Sequence, residues 1–458
     1  MTNSLATSAS CSGTIASDRG EGTERAEGRT GNRCGCRMAL AMKRHAPILL
    51  ALGLAGTTML APSAARPCTT FLATHAGQPV FGKTYDYSEN AGLVVSNPRG
   101  LQKTALALSA SDSPARWTSK YGSLTFNQYG VELPNAGLNE KGLVVEIMWL
   151  DSSQYPEPDS RPSINELQWI QRALDLFATV AELAQDAPLL RVSRAYARVH
   201  YLACDSTADC AAFEYIRGQL VITRAQDMPA KALTNNTYAA SATYLAGFTG
   251  FGGAAEMPTS TSSLDRFVRA SMLAKTTTGT SIPDSAFAIL DSVSQSSTVW
   301  SMAYALTDGK VYFRTSAVPK VKSVKLATLS FACGVRKILN IDTDSTGDVG
   351  AGFVEYTPAA NQALLDRTMA ALASELPAVV VSLVAAYPDT CKCASGAAQG
   401  GGGATGGTAA SGTGGDSPSS GGCSCTMTGP SRSGLGAIVM GLALAWRLRR
   451  RRPGDSQK

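Results

Sequence analysis

Apolar and polar positions between residues 68 and 387 follow two alternating periods. Residues 69–75 read as a strand, Ala76-Gly77-Gln78-Pro79 as a turn and residues 80–87 as a second strand, so the region opens with a hairpin. Residues 143–149 form a later strand behind the turn Asn139-Glu140-Lys141-Gly142. A helical period follows: Leu167, Ile170, Leu174 and Phe177 share one face, and Ser163 with Glu166 has the spacing of a capping box. Residues 199–203 read as a strand, as do 213–216 and 220–223 on either side of a turn at Gly218. Residues 264–273 are helical, 302–307 and 310–314 flank the hairpin turn Asp308-Gly309, and 361–376 are helical again. This order predicts an α+β domain with helices packed on antiparallel sheets, and a stacked αββα sandwich fits it.

Outside that middle zone the pattern changes. Residues 1–41 are rich in Gly, Ser, Thr and Arg without apolar periodicity, and read as a disordered leader or as an over-extended start. Met42-Lys43-Arg44 then opens a secretory pattern of a basic start, an apolar run over 47–60 and the small residues Ser63-Ala64-Ala65, so 42–67 reads as signal peptide and propeptide. A globular domain runs over 68–390, a Gly/Ser-rich linker over 391–422 and a terminal segment over 423–458. That last segment holds Cys423-Ser424-Cys425, an apolar run and an arginine block. It resembles the sorting signal of myxobacterial surface proteins, which implies Cys423 or Cys425 as the handled residue; an ordinary membrane anchor is the other reading. Both put the domain at the cell surface or in the periplasm, with the membrane as a partner through 423–458.

Net charge is +6. Residues 447–458 carry +5 and residues 1–67 carry +4, which leaves −3 for the rest. A middle domain of that charge gives no electrostatic case for nucleic acid. Export places the cysteines in an oxidising compartment, where Cys204 and Cys210 are spaced to close a small loop between two strands. The pairing of Cys333, Cys391 and Cys393 stays open, and a bridge between the last two would need awkward geometry. With no CxxC pair and only His75 and His200 in this region, no metal site and no cofactor are expected.

Cys68 lies just past the secretory pattern, at the start of the first strand. Cleavage after Pro67 would give it a free α-amine, whose reference pKa is about 7.7–8, beside a thiol of about 8.5. A base near neutrality next to a thiol can activate a nucleophile without a histidine. Acylation of Cys68 as a lipoprotein is a rival that Pro67 disfavours.

Five segments in order resemble the choloylglycine hydrolase family of linear amide C–N hydrolases, which holds penicillin V acylases and conjugated bile salt hydrolases. They are Cys68-Thr69-Thr70, residues 81–87, residues 133–143, Thr234-Asn235-Asn236-Thr237 and residues 263–269. The resemblance implies a four-layer αββα N-terminal-nucleophile sandwich. It puts the nucleophile on Cys68, an Arg-x-x-Asp element on Lys83 and Asp86 with Lys in place of Arg, an oxyanion donor on Asn235 with Asn236 as the alternative, and a fixed positive charge on Arg266. The position whose backbone N–H assists the oxyanion falls on Trp149. Asp86 would hold the α-ammonium against the sulfur, Arg266 would favour the thiolate and Asn235 would donate to the oxyanion. Trp149 and Tyr85 suggest an apolar or aromatic acyl pocket. The expected partner is a small N-acyl amide, of the penicillin V or N-acyl homoserine lactone type ahead of bile salts, and the relatives' tetramers extend the expectation to a homo-oligomer. The competing readings are a cysteine peptidase using Cys68 with His200, and a surface binding module on an inactive hydrolase fold, for which Lys83 is the argument.

Overall fold

A computed structural model describes residues 67–107, 112–193, 196–370 and 378–394. The signal segment, most of the Gly/Ser-rich tract and the sorting cysteines Cys423 and Cys425 lie outside the described residues.

The first hairpin forms as its pattern predicts. Thr69–His75 pairs antiparallel with Gln78–Asp86, and the two-residue turn Ala76-Gly77 has positive φ at both positions (49° and 81°), the twist that suits a tight hairpin. Gly82 is obligatory opposite Phe71: a Cβ there would meet the ring at 2.2 Å. The hairpin belongs to a seven-stranded sheet in the order Ala232–Leu233, Thr69–His75, Gln78–Asp86, Thr298–Ala305, Lys310–Thr315, Lys322–Lys325 and Gly347–Asp348. The predicted Asp308-Gly309 turn joins two of these strands, with Ala305 opposite Lys310.

A nine-stranded sheet stacks on it, in the order Gln219–Arg224, Cys210–Ile216, Val199–Cys204, Val144–Trp149, Ala136–Asn139, Ser123–Asn127, Leu93–Asn97, Lys337–Asn340 and Val354–Glu355. Strand alternation explains the stacking. Val144 and Met148 enter the core shared with the first sheet, whereas Val145 and Ile147 enter a separate core under the helix Glu166–Leu176. That helix buries Trp169, Ile170, Ala173 and Leu174, with the Trp169 ring 4.3 Å from that of Tyr201. On the far side, helices Ser263–Thr276 and Ile282–Val293 cover the first sheet through Phe267, Ala270, Ala286 and Leu290. The layers are therefore helix, sheet, sheet, helix.

Three expectations change. The first helix is capped by Asn165, whose side chain accepts from the N–H groups of Leu167 and Gln168. Ser163 pairs instead in a short strand with Arg191, and Glu166 accepts from Tyr196 and Ala197, so the Ser163–Glu166 box does not form. The helix expected over 361–376 begins at Pro358 behind the cap Thr357 and ends at Thr368. Proline at the first helical position sets that start. Cys204 and Cys210 are bridged, facing each other across two strands with Cα atoms 4.1 Å apart. Cys333 is bridged to Cys393, and Cys391 is a free, buried thiol. Lys392–Cys393 also pairs with Leu101–Gln102, so residues 391–393 belong with the folded body rather than with the Gly/Ser tract.

Candidate active site

Cys68 sits immediately before the first strand and is buried at 4% exposure, at one end of a cavity of about 110 Å³. Tyr85, Asp86, Tyr87, Leu133, Met148 and Trp149 are among its lining residues. The segment around Cys68 is held by Arg266, which the helix Ser263–Thr276 presents from its buried face. One guanidinium nitrogen donates to the Cys68 carbonyl (2.8 Å) and to Thr69 Oγ1 (2.5 Å), the other to Asn235 Oδ1 (2.9 Å), and Nε to the Thr261 carbonyl (3.1 Å). With its oxygen so held, the Asn235 amide turns its nitrogen to the Trp149 carbonyl at 2.9 Å. The Asn235 N–H is fixed by Ser263 Oγ at 2.9 Å. Arg266, Asn235 and Trp149 thus form one hydrogen-bonded chain from the Cys68 segment to the cavity wall, and Asn235 rather than Asn236 is its middle link.

Asp86 ends the second strand, opposite Thr298 in the neighbouring one. Its carboxylate accepts from the hydroxyls of Thr298 and, at 3.4 Å, Thr84. Burial pushes the Asp86 carboxyl up to about 6, while the Thr298 hydrogen bond and the charges of Arg266 and Lys83 pull the other way. Burial also pushes the Cys68 thiol above its usual range. Lys83 is the largest influence favouring its thiolate, the Asp86 charge opposes it, and the Asp86 backbone N–H and Arg266 favour it.

Lys83 points into the space between the sheets. Its Nζ donates to the Ile147 carbonyl, lies 3.4 Å from Met148 Sδ and 3.7 Å from Glu146 Oε2. Glu146 accepts from Tyr304 Oη at 2.5 Å, and burial pushes its carboxyl up to about 7 against the Lys83 charge. Tyr85 stacks between Tyr87 and Trp300, and its hydroxyl donates to Gln128 (2.9 Å) and accepts from Asn135 (3.2 Å). Trp149 is half-buried, its indole N–H donating to Asp151 at 2.6 Å.

The structure therefore brings Cys68, Asp86, Tyr85 and Trp149 to one cavity, with Asn235 and Arg266 behind it and Lys83 beneath it. His200 is not among the cavity's lining residues. Its ring nitrogens face Glu214 Oε1 (2.9 Å) and the Thr234 carbonyl (2.7 Å), so neither is presented to Cys68. His75 lies against Ser285 on the helical side. Among the described residues, no group of three or more His, Cys, Asp or Glu could hold a metal ion. Sequence reasoning overlooked Glu146, Thr298 and Thr69. Glu146 left a signal as the one charge in an otherwise apolar strand, and Thr69 stood in the Cys68-Thr69-Thr70 motif without a role; Thr298 left none.

An αββα sandwich with a buried cysteine at the edge of its first strand is the fold of the N-terminal-nucleophile hydrolases. Residues 68–339 match the model of the linear amide C–N hydrolases, choloylglycine hydrolase family, and the chain belongs to that family. A penicillin V acylase of Pectobacterium atrosepticum is 30% identical over 254 residues, a span that covers 51% of this chain and 66% of that relative. The solved penicillin V acylase of Agrobacterium tumefaciens superposes with a TM-score of 0.57 at 26% identity, covering 64% of this chain and 98% of the other. A conjugated bile acid hydrolase variant from Clostridium perfringens shares the fold at 17% identity and a TM-score of 0.50, over 60% and 97% of the two chains.

Proposed function

We propose that this chain is an exported amidohydrolase that uses Cys68, freed as the first residue, to cleave the linear amide of N-acyl substrates. One observation carries the reading: the buried Cys68 thiol opens on an apolar cavity beside Asp86, and the same residue is tied through Arg266 to the Asn235 amide. In the reaction the thiol proton passes to the Cys68 α-amine, and the sulfur attacks the acyl carbonyl. The Asn235 amide stabilises the oxyanion, and the amine leaves with the proton returned by the α-ammonium. Water, deprotonated by the α-amine, then cleaves the thioester and releases the acid. Asp86 holds the α-ammonium, whose arrival would draw its carboxyl below the raised value it has in the longer chain.

The apolar lining suits an apolar acyl group, and Trp149, in place of the Asn associated with bile-salt cleavage, ranks substrates of the penicillin V or N-acyl homoserine lactone type ahead of conjugated bile salts. Secretion through 42–67, removal of Arg66-Pro67, tethering through 423–458 and assembly into a homo-oligomer complete the proposal. Intact mass and N-terminal sequencing of the exported protein, followed by a panel of N-acyl amides, test it. The expected result is a chain beginning at Cys68 that loses turnover in Cys68→Ala. Activity in a chain that keeps residues ahead of Cys68, or in Cys68→Ala, would refute it.

A further inference from the structure

The family match ends at residue 339, yet the chain goes on to build part of the cavity. Met369, Val380 and Val384 line it together with Cys68. They pack with Leu133, Leu106 and Tyr129 in an apolar cluster separate from the main core. Val380 and Val384 belong to the helix Ala378–Thr390, which three features hold in place. Asn361 is fully buried; its oxygen accepts from the Val131 N–H at 2.9 Å and its nitrogen donates to the Ala385 carbonyl at 3.0 Å. Gly130, at φ +100°, leaves room for the helix, since a Cβ there would stand 3.0 Å from Val384 Cγ1. Beyond the helix, Cys393 is bridged to Cys333 in the body.

The loop beneath this helix also reaches the site. Gln128 and Asn135 hydrogen-bond to Tyr85 Oη, and Val131 lies between them in sequence. Three polar residues on the lining are engaged within the protein. Asn165 caps a helix, Glu166 accepts from Tyr196 and Ala197, and Asn135 bridges Gln128 and Tyr85. This wall offers methyl and methylene groups to a ligand.

We propose that the helix Ala378–Thr390 is the wall that sets acyl-chain specificity, with Val380 and Val384 selecting a linear aliphatic acyl group. The proposal rests on the cavity being an N-acyl amide site, and binding separates the two claims. In the Cys68→Ala protein, N-butanoyl and N-decanoyl homoserine lactone are titrated calorimetrically, with N-phenoxyacetyl homoserine lactone as the aromatic control. The decanoyl ligand binds tighter than either of the others. Because each buried methylene carries about fourfold in affinity, Val384→Trp, by displacing about two of them, lowers the decanoyl-to-butanoyl preference at least tenfold. Val384→Ala, which enlarges the wall and guards against a misfolded Trp variant, shifts the best-bound chain to a longer one. An unchanged length preference in both variants overturns the proposal, as does tighter binding of the aromatic control. Turnover by the protein with Cys68 intact is scored apart: length-selective binding without turnover refutes the hydrolase reading and leaves the wall assigned.

Discussion

Replacing Arg266 by Lys isolates what the guanidinium does beyond carrying charge. The Arg266 side chain is buried and makes four hydrogen bonds, to the Cys68 and Thr261 carbonyls, Thr69 Oγ1 and Asn235 Oδ1. An ammonium keeps the charge but cannot span acceptors on three segments as a planar fork does. Hydrogen bonds to a charged group contribute about 1.5–3 kcal/mol each, so losing two removes roughly 3–6 kcal/mol before relaxation. We expect Arg266→Lys to lower unfolding free energy by about 3 kcal/mol in urea titrations, the low end of that range. On the proposed mechanism the kinetic effect runs through Asn235. Without Arg266 at its oxygen, the amide loses its orientation, and loss of one oriented oxyanion donor lowers kcat by about 10²–10³. Acyl-amide hydrolysis in a double-mutant cycle with Asn235→Ala tests the route. If Arg266 acts through Asn235, the double variant is no more than about threefold slower than Asn235→Ala. Full additivity, or an Arg266→Lys enzyme within threefold of the parent, would refute the reasoning.

Asp86 and Glu146 give a pH signature in the chain that still carries Pro67. Their folded carboxyls titrate near 6 and 7, above the unfolded values near 4, so the folded state holds protons that the unfolded state has released; stability falls as pH rises through about 4 to 7, by at most roughly 3 kcal/mol per group. Asp86→Asn removes one contribution, so its unfolding free energy gains on the parent between pH 4 and 6; a difference independent of pH would contradict the burial of that carboxyl. The disulfides should differ in worth: by loop closure, Cys204→Ala costs about 2 kcal/mol and Cys333→Ala about 4, and reversed costs in guanidinium unfolding would contradict that reasoning.

The sequence was most readable where one local rule sufficed. The first hairpin needed only alternation and Ala76-Gly77, and the 310–314 hairpin needed only Asp308-Gly309. Cys68, Asp86, Asn235 and Arg266 were found through motifs, and the structure gathers them from segments up to 198 positions apart. Their immediate partners were not legible. Thr298 meets Asp86 across 212 positions and Tyr304 meets Glu146 across 158, and a threonine or tyrosine in a strand is ordinary composition. The helix Ala378–Thr390 was hidden for another reason: its run of valine and alanine lacks a polar stripe, so it shows no helical period. Its role as a wall depends on Asn361 and Gly130, neither of which carries a signal in its own neighbourhood.

Lys83 is where the family pattern and this chain part, and the structure changes what that departure means. A lysine in place of arginine was the reason to consider an inactive fold. The Lys83 ammonium donates to the Ile147 carbonyl and the Met148 sulfur, and the Glu146 carboxylate stands 3.7 Å away as its ion-pair partner. Glu146 is in turn held by Tyr304, so the charge is matched by a buried network rather than left over from a lost function. Lys83 also remains the largest influence favouring the Cys68 thiolate. The substitution is therefore accommodated by its neighbours, and the loss of the arginine fork is not by itself an argument for an inactive fold.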